Sequence, residues 1–280
     1  IAEAELFFSD FDHDNFKEIV SFTYYKDSIW IHVIEPMQAG GTEIHQALDH
    51  ARLFNGNHDW HVYFGSPYDM NMDGKDDYTI AIRSGFTIQP RKVYFFSPID
   101  KKSTTSDLKF GNNIHTPVLV DLDGDGNMEL TGSMSAPRNL RDHHLLLDDS
   151  CAWFVIYDHH LDMKTEPKPY YGKPSYFKVL PLKKDGRQIL LTYNFARQQD
   201  SVINMFEVWE WGDDGMHLLR SRKLLYGSEI NLLGADQLGN GTFYVAMGEE
   251  VLLFNDLLVE EKHIKFDLLD TWFTYISLDV

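Results

Sequence analysis

Three stretches of the chain set oxygen-bearing side chains at alternate positions, as a hard divalent cation requires. They are Asp10–Glu18, Asp69–Asp77 and Asp121–Glu129. Calcium takes six to eight oxygens in flexible geometry. In a backbone coiled around an ion, positions 1, 3 and 5 point inward, here Asp10, Asp12 and Asp14; Asp69, Asn71 and Asp73; and Asp121, Asp123 and Asp125. Position 7 offers its carbonyl, from Phe16, Lys75 or Asn127, and position 9 closes the shell with Glu18, Asp77 or Glu129. Position 6 needs a positive φ, which Gly74 and Gly126 meet freely and Asn15 tolerates.

Two other readings compete. An EF-hand closes with Glu at position 12 between helices. Position 12 here is Ser21, Ile80 or Gly132, and the residues around it alternate as a strand does. A metal-free Asp/Gly turn would account for one such loop. It accounts poorly for three in register, because clustered carboxylates without a cation repel one another.

The elements that position these loops form a repeat. Two weaker copies follow, Val179–Tyr193, which has lost the carboxylates, and Gly234–Ala246, which keeps Asp236, Asn240 and Gly241 but has Leu238 at a ligand position. Phe273–Val280 resembles the lead-in strand of a sixth copy, with Asp279 as its first ligand. Repeats therefore start near residues 10, 69, 121, 181, 236 and 279, and this period suits a four-stranded propeller blade.

Strands are expected at Glu18–Tyr25, Ser28–Ile34, Tyr78–Arg83, Val93–Ser97, Trp153–Tyr157, Ile189–Tyr193, Val202–Trp211, Phe243–Met247 and Val251–Phe254. Lys26-Asp27 and Gly248-Glu249 read as tight hairpin turns. Ile44, Leu48 and Ala51 stand at helical spacing behind Thr42, a candidate N-cap, and predict a short helical insertion near 42–54. Ala136–Asp149 and Glu166–Lys173 read as loops.

Composition narrows the function. Of 280 residues, 43% are hydrophobic and 14% aromatic, enough for a full core. Apolar runs such as Ile189–Thr192 are far too short to span a bilayer, so no membrane insertion is expected in this segment. The formal charge of −18 argues against nucleic acid as a partner. Three calcium ions would reduce that charge to about −12. Cys151 is the single cysteine and reads as a core residue. Paired His143-His144 and His159-His160 chelate poorly, since adjacent strand residues point to opposite faces. Nucleophile-elbow, zinc-protease and phosphate-loop motifs do not occur. Trp30, Trp60, Trp209, Trp211 and Trp272 are expected to pack between repeats, and some could stack on a sugar.

The loops and their period resemble FG-GAP/VCBS repeats, found in the propeller of integrin α subunits and in many bacterial surface proteins. The family's full Phe-Gly…Gly-Ala-Pro cage is largely absent, Tyr63-Phe-Gly-Ser-Pro67 being its nearest echo, and that absence favours the bacterial extracytoplasmic branch over true integrins. A fainter likeness links Ala152–Leu161 to propellers fused to bacterial sensor kinases. The resemblance implies calcium in the hairpin between the first two strands of each blade.

The expectation is an all-β chain, a β-propeller of four-stranded blades with about five recognisable repeats. Residues 1–280 would be a single propeller domain or a fragment of a seven-bladed one. Its expected role is a non-catalytic recognition or sensor domain outside the cytoplasm (periplasmic, cell-surface or secreted), stabilised by about three Ca²⁺. It would bind a protein or carbohydrate, as the sensing part of a bacterial signalling protein. The alternatives are a polysaccharide-lyase-like propeller enzyme and a structural adhesion module.

Overall fold

The computed structural model describes residues 5–35, 43–50, 61–65, 67–70, 72–83, 91–105, 113–136, 147–148, 150–171, 175–198, 201–224, 232–235, 240–247 and 250–265. Every element among them is a strand, and each sheet is antiparallel.

The first sheet runs β1 (Glu5–Ser9), β2 (Glu18–Tyr25), β3 (Ser28–Ile34) and β4 (Glu43–His50), in spatial order. The second repeats the pattern with β5 (His61–Phe64), β6 (Tyr78–Arg83), β7 (Arg91–Ser97) and β8 (Lys102–Thr105). Further along come β9 (Asn113–Val120), β10 (Glu129–Ala136), β11 (Ala152–Phe154) and β12 (Lys168–Tyr170). β13 (Ser175–Lys184), β14 (Arg187–Gln198), β15 (Ser201–Gly212) and β16 (Gly215–Leu224) make a long meander. β17 (Leu232–Ala235), β18 (Phe243–Met247), β19 (Glu250–Phe254) and β20 (Glu260–Lys265) complete the series.

The third unit departs from the simple meander. At its loop end β10 pairs outward with Tyr157, through Leu130 N–H to Tyr157 C=O at 2.9 Å and the reverse bond at 2.8 Å, and Tyr157 in turn bridges Met163. At its far end β10 pairs with β13, Met134 opposite Phe177, giving a six-stranded sheet β16-β15-β14-β13-β10-β9.

Tight turns set the registers. Lys26 and Asp27 have φ of 49° and 57°, and Asp185 and Gly186 have 49° and 80°, the left-handed pair whose twist matches two-residue hairpins. Met247 pairs with Glu250, as the expected two-residue break demands.

Period-two alternation then distributes the core. On β6, Tyr78, Ile80 and Ile82 join a cluster with Val20, Phe22 and Ile31 of the first sheet. The intervening Ala81 joins a second cluster with Val120, Leu130, Phe154 and Phe177. On β14, Ile189, Leu191, Tyr193 and Phe195 pack with Phe243, Val245 and Phe254, while Leu190 belongs to the cluster around Leu130. These sheets thus bury both faces, and each fully buried Phe or Ile contributes about 1.5–3 kcal/mol.

The structure corrects two expectations. Glu43–His50 is a strand, not a helix. Ile44 and Leu48, four residues apart, share a face in either conformation, and both are buried. Pairing with β3 decides for the strand, with the register shifting by one residue between Ile29 and Trp30 so that Leu48 has no partner of its own. Thr42 and residues 51–54 lie outside the described residues, so the correction covers the strand alone. Within Glu166–Lys173, expected as a loop, Lys168–Tyr170 is a short strand paired with β11. Most of 136–149, together with Trp60, Trp272, His143 and His144, also lies outside.

Candidate metal centre

Each acidic loop connects the first two strands of its unit, and all three are braced by one set of local hydrogen bonds. The position-6 N–H donates to the position-1 carboxylate: Asn15 to Asp10 at 3.1 Å, Gly74 to Asp69 at 2.7 Å, Gly126 to Asp121 at 3.2 Å. The position-7 N–H donates to position 5: Phe16 to Asp14 at 2.8 Å, Lys75 to Asp73 at 3.0 Å, Asn127 to Asp125 at 2.7 Å. The position-2 N–H donates to the closing carboxylate: Phe11 to Glu18 at 2.9 Å, Met70 to Asp77 at 3.3 Å, Leu122 to Glu129 at 2.8 Å. Asx-type bonds of this kind are why Asp is the residue of choice here.

Position 6 has the positive φ expected of it: 73° at Asn15, 84° at Gly74 and 90° at Gly126. Position 4, which the sequence reading passed over, does too: 59° at His13, 57° at Met72 and 76° at Gly124. The signal was present only in the third loop, where that residue is glycine.

Carboxylate oxygens of Asp10, Asp12 and Glu18 lie within 4.8 Å of one another, and so do those of Asp121, Asp123 and Glu129. Positions 1, 3 and 9 therefore converge. Asp14 and Asp125 stand outside these groups, each with one oxygen accepting from the position-7 N–H. In the second loop Asp69, Asp73, Lys75 and Asp77 are described, whereas Asn71, its position 3, lies outside the described residues. Phe16, Lys75 and Asn127 are fixed through their N–H groups, as above.

Burial governs the electrostatics. Glu18, Asp77 and Glu129 are all buried, and desolvation holds each above the usual carboxylate range. The N–H bonds from Phe11, Met70 and Leu122 act the other way and are outweighed. In the first loop, Oδ1 of Asp10 and Oε1 of Glu18 are buried with no hydrogen-bond partner, an arrangement that fits a cation with oxygen ligands.

The third loop differs. The Lys164 ammonium donates to Glu129 at 2.5 Å and Asp123 at 2.6 Å. It also lies 4.9 Å from the Trp211 ring centroid. These hydrogen bonds raise the lysine against the opposing effect of its own burial. Lys164 was not foreseen, because it stands 35 and 41 residues from its partners.

The loops are neighbours. His13 lies 3.2 Å from Asp76, joining the first loop to the second, and the Tyr68 hydroxyl reaches the Gly126 carbonyl at 3.5 Å, joining the second to the third. The two weak repeats touch likewise. Gly241 N–H donates to Lys183 C=O at 3.0 Å, and the Lys184 ammonium pairs with Asp256. Within the first of these weak repeats the connection is the bare Asp185-Gly186 turn, as its lost carboxylates predict. Asp236 and Leu238 of the fifth, and Asp279, lie outside the described residues.

No protein-family model matches the chain, and no curated protein matches it.

Other candidate groups are engaged elsewhere. The rings of His159 and His160 lie against each other, centroids 4.0 Å apart and tilted by 45°. Trp209 is buried and donates from Nε1 to Thr192 at 3.1 Å. Glu207 accepts from Lys168 at 2.9 and 3.0 Å and from the Tyr170 hydroxyl, and the Lys168 ammonium lies 4.2 Å from the Trp209 ring centroid. Among the described residues no helix is long and apolar enough to cross a membrane.

Proposed function

We propose that the chain is a calcium-stabilised recognition domain of the FG-GAP/VCBS kind, a β-propeller whose blades are the five successive units. Calcium would be structural, holding the loop between the first two strands of a blade. The observation that carries this reading is the convergence of Asp10, Asp12 and Glu18 around buried, unbonded oxygens, on a hydrogen-bond scaffold that recurs in three loops. The residues fit calcium rather than zinc, since every ligand is oxygen. Sites of this type suit millimolar external calcium, which supports a place outside the cytoplasm, as the ligand-sensing part of a signalling protein. The ligand itself would be a protein or carbohydrate met away from the loops.

Thermal melting in EDTA and in calcium tests the reading. Calcium at about 100 times its Kd adds ~2.7 kcal/mol per site. A clear rise in Tm that Asp12→Asn diminishes is the expected result. Identical melting in EDTA and calcium would sink it.

A second reading, a lyase-like carbohydrate enzyme, draws on the Lys168–Tyr170–Glu207 group. Lys168 and Tyr170 are both bonded to Glu207, so neither is poised as a base in this arrangement. Release of unsaturated products from an acidic polysaccharide, abolished by Tyr170→Phe, would favour the enzyme instead.

A further inference from the structure

Glu35 follows β3 directly, and the β2–β3 register pairs Ile19 with Ile34. One further step places Glu35 opposite Glu18. Both belong to the sheet face that carries Val20, Phe22, Ile31 and Val33 into the core. Glu18 is 0% exposed and Glu35 5%, and Oε1 of each is buried without a hydrogen-bond partner. Burial is the main influence on the Glu35 carboxyl, followed by the charges of Asp14 and Asp12 in the first loop. Two buried acids thus face each other across the β2–β3 register, each with an oxygen left unbonded, and Glu35 itself stands outside the convergent trio of Asp10, Asp12 and Glu18.

The equivalent positions in the other units are settled differently. Opposite Asp77 stands Ser97, which hydrogen-bonds to it. Opposite Glu129 stands Asp158, whose Oδ1 takes the N–H groups of His160 and Asp162 at 2.9 Å, while Lys164 reaches the loop carboxylates. The first unit instead has a glutamate with an unbonded oxygen.

We propose that Glu35 is a metal ligand from outside the nine-residue loop. It completes an oxygen shell with Asp10, Asp12 and Glu18 and makes the first loop the tightest calcium site of the chain. The inference rests on the calcium reading above and deepens it. A divalent cation that draws the Glu35 carboxylate in beside Glu18 supplies the partner that both oxygens lack. An added carboxylate also raises the coordination number, which favours calcium over magnesium.

Calorimetric titration of the full chain with CaCl₂, and melting in EDTA, test the proposal on the wild type, Glu35→Gln, Glu35→Asp and Asp12→Asn. Glu35→Gln is expected to weaken the tightest binding event at least tenfold and to leave weaker events unchanged. It should also melt higher than wild type in EDTA, because a buried, unpaired charge has gone. Wild-type affinity in Glu35→Gln, with Asp12→Asn impaired, would overturn the role of Glu35 and leave the calcium reading standing. No calcium uptake by the wild type would overturn both. Should Glu35→Gln not fold, Glu35→Asp keeps the charge on a shorter arm. Weakened calcium binding in this folded variant supports the proposal, and unchanged binding refutes it.

Discussion

The Lys164 ammonium stands 2.5 Å from Oε1 of Glu129 and 2.6 Å from Oδ2 of Asp123, between two of the three carboxylates that converge in the third loop. The loop with the most regular Asp-x-Asp-Gly-Asp-Gly pattern therefore carries a cation of its own. A bound calcium ion there has to displace the lysine.

Replacing Lys164 by Met removes that competitor. Calcium affinity at the third loop should rise about tenfold, equal to ~1.4 kcal/mol. In EDTA the same variant should lose about 3 kcal/mol, since Glu129 is left buried without its partner. Titration calorimetry and urea unfolding read the two effects, which have opposite signs only if the lysine and calcium compete for one place.

The raised pKa of Glu18 predicts a reversed pH response without metal. A carboxyl with a folded pKa above its unfolded value binds its proton more tightly when folded. Its contribution to stability is complete below the unfolded pKa and is lost as pH rises through the folded one. In EDTA at neutral pH, Glu18→Gln should therefore be more stable than wild type. That advantage should shrink as pH falls through the carboxylate range. With saturating calcium the order inverts, because the ion requires the ionised form. Melting curves across pH in both conditions check this, and an EDTA advantage that does not vary with pH would contradict it.

Gly132, three residues after Glu129, predicts a packing penalty. A Cβ there would come within 2.5 Å of Ile114 Cγ2 and 2.6 Å of the Thr116 carbonyl oxygen. The backbone contact cannot give way as a flexible side chain can. Gly132→Ala should cost about 1–3 kcal/mol, seen as a lower urea midpoint. An unchanged midpoint would show that β9 and β10 separate easily.

Much of the loop architecture was legible because its chemistry is local. Each hydrogen bond that braces Asp10–Glu18 joins residues no more than seven apart. Side-chain type and spacing then suffice to place the left-handed residue at position 6 and the two flanking strands. The strands Glu18–Tyr25, Ser28–Ile34 and Tyr78–Arg83 were readable for the same reason, since alternation and a two-residue turn are short-range signals.

Glu43–His50 was misread because Ile44 and Leu48 suit a helix and a strand equally, and only the free edge of β3 chooses between them. Lys168–Tyr170 was missed because its partner β11 lies fourteen or more residues earlier in the chain.

By itself, then, the sequence determined where the acidic loops form, which strands flank them and, the helix expected near 42–54 apart, that the fold class is all-β. These follow from dihedral preference, side-chain hydrogen bonding and period-two burial, all acting within a few residues. Only the tertiary structure decided what stands by each closing carboxylate: Glu35 opposite Glu18, Ser97 beside Asp77, and Lys164 upon Glu129. Those partners come from neighbouring strands or distant turns. They reach the site through strand register and burial, which no local spacing encodes.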